Sequence, residues 1–138
     1  MTDLLKLSVP GKPEYVGTVR MAVSHIAANA GFDIEAIDDI KVAVSEACTN
    51  IICHSHKHSD YSYDVIVERE EKKLTISVVD YGIGFETDDY VEHVPGETRG
   101  SGMGIFIVKA LMDEVDIQST IGEGTNIRMT KYLQGRIA

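Results

Sequence analysis

Glu46 and Asn50 stand four residues apart in Ser45-Glu46-Ala47-Cys48-Thr49-Asn50. In a helix that spacing is one turn, so the two side chains converge on one small volume. A carboxylate there can take a proton or orient a hydroxyl or a water. An amide oxygen one turn on can complete the oxygen shell of a hard cation such as Mg²⁺, which keeps phosphates and waters as its other ligands. Taken alone, such a pair equally decorates a solvated helix face. Asp80 ends an apolar strand and precedes Tyr81-Gly82-Ile83-Gly84. Its carboxylate, presented at the edge of a sheet, can accept the exocyclic amine of adenine and so select against guanine. Gly82 and Gly84 let another molecule lie against bare backbone. Taken alone, the segment is also a common turn leaving a strand. The third segment, Arg99-Gly100-Ser101-Gly102-Met103-Gly104, opens an apolar helix. Glycine-rich backbone at a helix start aims amides at an anion, the helix dipole adds to the attraction, and Arg99 supplies a cation. Taken alone it is equally a loop and a helix start. In this order, the three segments hold the parts needed for a purine, a divalent metal and a triphosphate, which together are Mg²⁺ and ATP.

The elements that must position these residues can be read from the periodicity. Leu4 to Val9 reads as a first strand closed by Pro10-Gly11. Val16, Val19, Val23, Ile26, Ala27 and Ala30 keep a helical period over residues 13–30, with Pro13 suited to the first turn and Gly31 to the position past the end. A second helix is expected from Ile34 to His56 with Asp33 as its N-cap. Its apolar positions Ile37, Ile40, Val44, Ala47, Cys48 and Ile51 share one arc, while Glu46, Asn50 and His54 form a separate polar stripe. Tyr61 to Arg69 alternates as a half-buried strand, and Leu74 to Val79 follows it across the polar turn Glu70-Glu71-Lys72 as a hairpin. Residues 86–100 show no period and read as a loop. Met103 to Met112 reads as a helix, and Val115 to Thr120 and Thr125 to Leu133 as two last strands around Gly122-Glu123-Gly124. The order β-α-α-β-β-loop-α-β-β fits an α+β two-layer sandwich, a mixed sheet covered on one face by helices, in a single domain over residues 1–138. Tyr61, Tyr63 and Phe106 read as core or sheet cover.

Bulk composition agrees with an ordinary soluble domain: 138 residues, 43% hydrophobic and 25% charged. No apolar run approaches a membrane span, and no secretory signal is visible at the start. Cys48 and Cys53, five apart on a helix, read as free thiols and fit a reducing cytoplasm. A net charge of −9 argues against duplex DNA or an anionic membrane as partner. It also means that an anionic nucleotide needs Mg²⁺, backbone amides or a local cation. There is no Gly-Lys-Ser/Thr, hence no P-loop, and Asp80 to Gly84 leads into a polar stretch rather than a helix, which excludes a Rossmann turn. His54-Ser55-His56-Lys57-His58 lacks the second ligand cluster that a zinc site needs.

As a set, the three segments resemble the N, G1 and G2 boxes of the ATPase superfamily that includes DNA gyrase, the ninety-kilodalton heat-shock chaperone, the mismatch-repair ATPases and histidine kinases. Pro13-Glu14-Tyr15-Val16-Gly17, Lys41 to Asn50, Leu111-Met112-Asp113-Glu114-Val115 and Met129-Thr130-Lys131-Tyr132-Leu133 are most similar to the bacterial anti-sigma-factor serine kinases of the sigma-B and sporulation type. The resemblance implies the Bergerat-type ATP-binding fold. It implies Glu46 as catalytic base or orienting carboxylate and Asn50 as Mg²⁺ ligand. Asp80 would bind the adenine amine beside Gly82 and Gly84, with Thr125 in support. Arg99, Gly100, Gly102 and Gly104 would close over the phosphates, and residues 86–98 would form a lid. The implied reaction moves the γ-phosphoryl of ATP to a serine or threonine of an anti-anti-sigma protein. The implied partners are that protein, a sigma factor and a second copy of the chain in a homodimer. A non-catalytic ATP-binding switch is the alternative. A short lid and the bulky Ile51, Ile52, His56 and His58 after Asn50 depart from the family pattern.

Overall fold

A computed structural model describes residues 2–54, 61–81, 100–120 and 124–133. Strand β1 (Asp3–Pro10) leads through a 3₁₀ turn, Pro13–Tyr15, into helices α1 (Val16–Ala30) and α2 (Ile34–His54). Strands β2 (Ser62–Arg69) and β3 (Lys73–Asp80) follow, then helix α3 (Gly100–Leu111) and strands β4 (Glu114–Thr120) and β5 (Gly124–Tyr132). The expected order of elements holds, with boundaries moved by a few residues. The largest change is at α3, which begins at Gly100 rather than Met103. The glycine-rich segment is thus the helix's own first turns. The loop expected over residues 86–98, and the histidines at 56 and 58, lie outside the described residues.

The five strands form one sheet in the order β1-β2-β3-β5-β4. A mixed sheet is expected, yet all four described pairings are antiparallel. Strands β3 and β4, joined through α3, do run parallel, but β5 is inserted between them, so no parallel ladder forms. The β2–β3 hairpin closes where the Glu70 N–H donates to the Lys73 carbonyl at 2.9 Å.

Burial alternates along β2: Tyr63, Val65 and Val67 are buried, while Asp64, Ile66 and Glu68 are half-exposed. Only one face of that strand is therefore covered. The covered face meets α1 and α2 in one core of Val19, Val23, Ile40, Val44, Ala47, Ile51, Val65, Val67, Ile76, Val78, Ile127 and Met129. Helix α3 joins it through Ile105, Val108 and Met112, whereas Phe106, expected as cover, is exposed. It falls on the outward side of α3, because the three buried positions at spacings of three and four take the inner side.

Helix α2 is pinned at several points. Asp33 Oδ1 accepts the Ala36 N–H at 2.9 Å, the expected N-cap. Gly31 ends α1 at φ 105°, a conformation that favours glycine. An Arg20 Nη donates to Ser45 Oγ at 3.2 Å, tying α1 to α2. Lys131 Nζ donates to the Leu111 carbonyl at 2.6 Å and lies 3.7 Å from Asp39 and 4.0 Å from Asp113. One half-buried ammonium thus caps the C-terminus of α3 and fixes it to α2 and β5.

Candidate functional site

Asn50 belongs to no solvated stripe, since only 1% of it is accessible, and Glu46 one turn earlier is half-buried. A buried carboxamide beside a half-buried carboxylate is costly unless something polar meets them.

Helix α3 comes up against Glu46 at Gly104. A Cβ built on Gly104 would lie 2.8 Å from Glu46 Oε1 and 3.7 Å from Glu46 Cβ. The bare Cα thus lets the Glu46 carboxylate keep its present position against α3. Two segments nearly sixty residues apart meet at one point. Gly100 and Gly102 occupy the first turn of α3, and the leading amides of a helix suit an anion. Gly82, Gly84 and Arg99 lie outside the described residues.

Asp80 ends β3 with only 2% accessible, opposite Thr125 of β5, which is equally buried. Thr125 Oγ1 and Ser119 Oγ are 2.7 Å apart, so a hydroxyl pair from β4 and β5 lies in the row next to the carboxylate. Gly124 sits at φ 101°, and a Cβ there would run into the Asp80 carbonyl. This glycine lets the two strands close at the site. A cleft of about 220 Å³ opens here, lined by Asp80, Tyr81, Gln118, Gly124, Thr125 and Asn126.

Tyr61, expected as core or sheet cover, packs against the core beside these groups. The charge of Asp80 acts on its hydroxyl. That hydroxyl lies 3.4 Å from the carbonyl of Ile51, the residue after Asn50. Burial first, then the charge of Asp80, hold the Tyr61 phenol well above its ordinary value, so it stays a donor. Behind it, the Tyr63 hydroxyl is set against the Cys48 thiol, and burial pushes that thiol up to about 12. Sequence reasoning missed Tyr61, Ser119 and the Gly104–Glu46 contact. For Tyr61 a signal existed in strand parity, since Tyr61, Tyr63 and Asp80 all point to the covered face.

A larger cleft of about 780 Å³, between the start of α2 and the end of β5, includes none of these residues. Among the described residues no three or more His, Cys, Asp or Glu side chains cluster as a metal cage, and no helix is long and apolar enough to cross a membrane. On α2 the Glu46 and Asn50 side chains carry oxygens one turn apart. Such a sparse set fits Mg²⁺, which relies on phosphates and waters for most of its shell.

Residues 9–131 match the histidine kinase-like ATPase domain family. The chain belongs to that family. The serine-protein kinase RsbW of Bacillus pumilus strain SAFR-032 is 36% identical over 142 residues, covering 95% of this chain and 86% of that protein. The serine-protein kinase RsbW of Bacillus subtilis strain 168 is 36% identical over 143 residues, covering 96% and 88%. Among solved structures, the RsbU and RsbW domains of Rv1364c from Mycobacterium tuberculosis superpose with a TM-score of 0.70 at 22% identity. That match covers 95% of this chain but only 32% of the solved one, and it speaks to the fold alone. Of the three sequence segments, the third meets the first directly, Gly104 against Glu46.

Proposed function

We propose that this histidine kinase-like ATPase domain is an ATP-dependent protein serine kinase and anti-sigma factor. It transfers the γ-phosphoryl of ATP to a serine or threonine of an anti-anti-sigma protein and, in the alternative complex, sequesters a sigma factor. The observation that carries this reading is the Glu46–Gly104 contact, which puts a half-buried carboxylate beside the helix start suited to phosphates. Full-length similarity to proteins named serine-protein kinases supports catalysis over a switch that merely binds ATP.

Each residue then has a task. Asp80 accepts the adenine amine, with Thr125 in support and Gly82 and Gly84 beside the base. Amides of Gly100, Gly102 and Gly104, with Arg99, receive the phosphates as residues 86–98 close. Glu46 takes the proton of the attacking hydroxyl. Asn50 holds Mg²⁺, which when bound neutralises charge on the phosphates. Phosphoryl transfer asks mainly for positioning and charge stabilisation, so one small domain over residues 1–138 suffices. The protein acts in the cytoplasm in a stress response, as a homodimer, without direct contact to nucleic acid or membrane.

Incubation with γ-labelled ATP and an anti-anti-sigma protein tests this. Wild-type protein should label the partner, and Glu46→Gln should lower the rate at least a hundredfold with Mg·ATP still bound. Label transfer at the wild-type rate by Glu46→Gln removes the base. ATP binding with no label on the partner from wild type leaves the switch.

A further inference from the structure

We infer that Ser119 is a positioning residue for Thr125, its hydroxyl setting the hydroxyl of Thr125 at the adenine end of the site. This rests on the nucleotide reading above and adds to it a residue outside the three segments. Strand pairing puts three polar side chains in one row. Asp80 of β3 lies opposite Thr125 of β5, and Thr125 lies opposite Ser119 of β4. Residues directly opposite in antiparallel strands leave the same face of the sheet, with Cβ atoms about 4.5 to 5.5 Å apart. Asp80 and Thr125 border the cleft of about 220 Å³, and both are buried. Ser119 is half-buried and is not among the residues lining that cleft. Its effect on a bound base therefore passes through Thr125.

The contact that carries this effect is short. Ser119 Oγ and Thr125 Oγ1 are 2.7 Å apart, the most favourable distance for one hydroxyl donating to another. Ser119 Oγ also lies 3.4 Å from the Gly124 carbonyl, too far to hold its proton against the nearer oxygen. Ser119 thus donates to Thr125, and a hydroxyl that accepts on one side keeps its own proton for another. Thr125 stands in the middle of the row, so its proton turns away from β4, to the side of β3 and Asp80. The rest of Thr125 has little room to adapt. Its β-branched side chain is stiff about χ1. The backbone just before it is held at Gly124, where φ is 101° and a Cβ would run into the Asp80 carbonyl. What Ser119 adds is the orientation of one O–H. Without it the Thr125 hydroxyl rotates, and the group that supports Asp80 at the base is correctly turned for only part of the time.

Calorimetric titration of the full chain with Mg·ATP, in a double-mutant cycle of Ser119→Ala and Thr125→Val, reads this directly. Each single variant should lose roughly three- to tenfold in ATP affinity, and the double variant at most about twofold beyond Thr125→Val alone. Ser119→Thr, which keeps the hydroxyl on a side chain suited to a strand, should stay within about twofold of wild type. A serine that served only the strands would lower the urea midpoint and leave the affinity of the folded protein unmoved. Losses that multiply in the double variant, or a Ser119→Thr as weak as Ser119→Ala, overturn the inference. Should Thr125→Val fail to fold, Ser119→Ala alone decides. It should lose at least about threefold for ATP and under about twofold for inosine triphosphate, whose base carries a carbonyl in place of the amine, and equal losses overturn the inference. Wild-type protein that does not bind Mg·ATP overturns the nucleotide reading itself. Thr125→Val at wild-type affinity removes the support of Thr125 and the part of Ser119 with it. Ser119→Ala at wild-type affinity, with Thr125→Val weakened, overturns the serine's part alone.

Discussion

Replacing Gly104 with alanine should separate catalysis from stability. A Cβ at position 104 would lie 2.8 Å from Glu46 Oε1, about 0.6 Å short of the 3.4 Å at which ordinary contact begins. The obstacle is the far end of a rotatable side chain. The next nearest atoms, Glu46 Cβ and the Glu46 carbonyl, are 3.7 and 3.8 Å away and accept a methyl. The helices can therefore stay where they are while the carboxylate turns aside. Alanine in place of glycine at a helix interior contributes about 1 kcal/mol of stability, which offsets the small strain of the new rotamer. The global unfolding free energy should change by less than about 1 kcal/mol. Displacing a catalytic group by more than half an ångström is a different matter, because errors of about 1 Å in the reacting geometry cost about a hundredfold. We expect phosphoryl transfer to an anti-anti-sigma protein to fall ten- to a hundredfold, or about 1.4 to 2.7 kcal/mol in the barrier.

The assay is single-turnover transfer from γ-labelled ATP, run beside urea denaturation of the same preparations. Gly17→Ala is the matched control: it also adds a methyl to a helical glycine, but its nearest neighbour, an Arg20 Nη, would be an ordinary 3.5 Å away. Turnover of Gly104→Ala within twofold of Gly17→Ala, at equal stability, would refute the link between the Glu46 carboxylate and the transfer. A loss of more than about 2 kcal/mol in stability would instead refute the claim that the carboxylate can yield.

Two further outcomes follow from the packing around Asp80 and Cys48. Gly124→Ala combines a φ of 101° with a Cβ driven into the Asp80 carbonyl, so backbone rather than a side chain must move. Urea denaturation should show a loss of more than about 2 kcal/mol, and a loss under about 0.5 kcal/mol would contradict the strand approach described here. Burial holds the Cys48 thiol neutral up to about 12, while in the unfolded chain it ionises near 9.0. Between these values the unfolded state has lost a proton that the native state keeps. Stability is therefore intact below about pH 9 and falls by up to about 1.4 kcal/mol per unit above it. Denaturation series from pH 8 to 11 should show that decline, and Cys48→Ala should flatten it from a lower starting stability; equal slopes would contradict the burial argument.

Much of this architecture is legible in single segments. The period of Val16 to Ala30, the cap at Asp33, the alternation from Tyr61 and the hairpin over Glu70 to Lys72 each depend on neighbours close in the chain. What escaped was relational. Whether Asn50 faces solvent or sits 1% accessible depends on where α3 packs, and no local pattern carries that information. The mixed sheet expected from the order of elements is an antiparallel one because β5 inserts between β3 and β4, a pairing choice between strands far apart in the chain. The polar contact of Tyr61 was hidden because its ring packs against the core and only its hydroxyl reaches the Ile51 carbonyl. Apolar alternation records the first and is blind to the second.

The placement of α2 explains why one helix can serve so many demands at once. Its apolar arc is locked into the sheet through Ile40, Val44, Ala47, Cys48 and Ile51. Its second side is held by α1 through Arg20 and Ser45, and its third is met by α3 at Gly104. A long side chain at position 104 would have kept α3 away from Glu46, and a larger residue at position 124 would have kept β5 away from Asp80. The small residues are thus placed where two elements must approach something charged, while the bulky ones hold the helix that carries that charge. Rigidity and access are supplied by different residue types on the same few elements. That division lets a carboxylate, a carboxamide and a distant aspartate hold fixed relative positions.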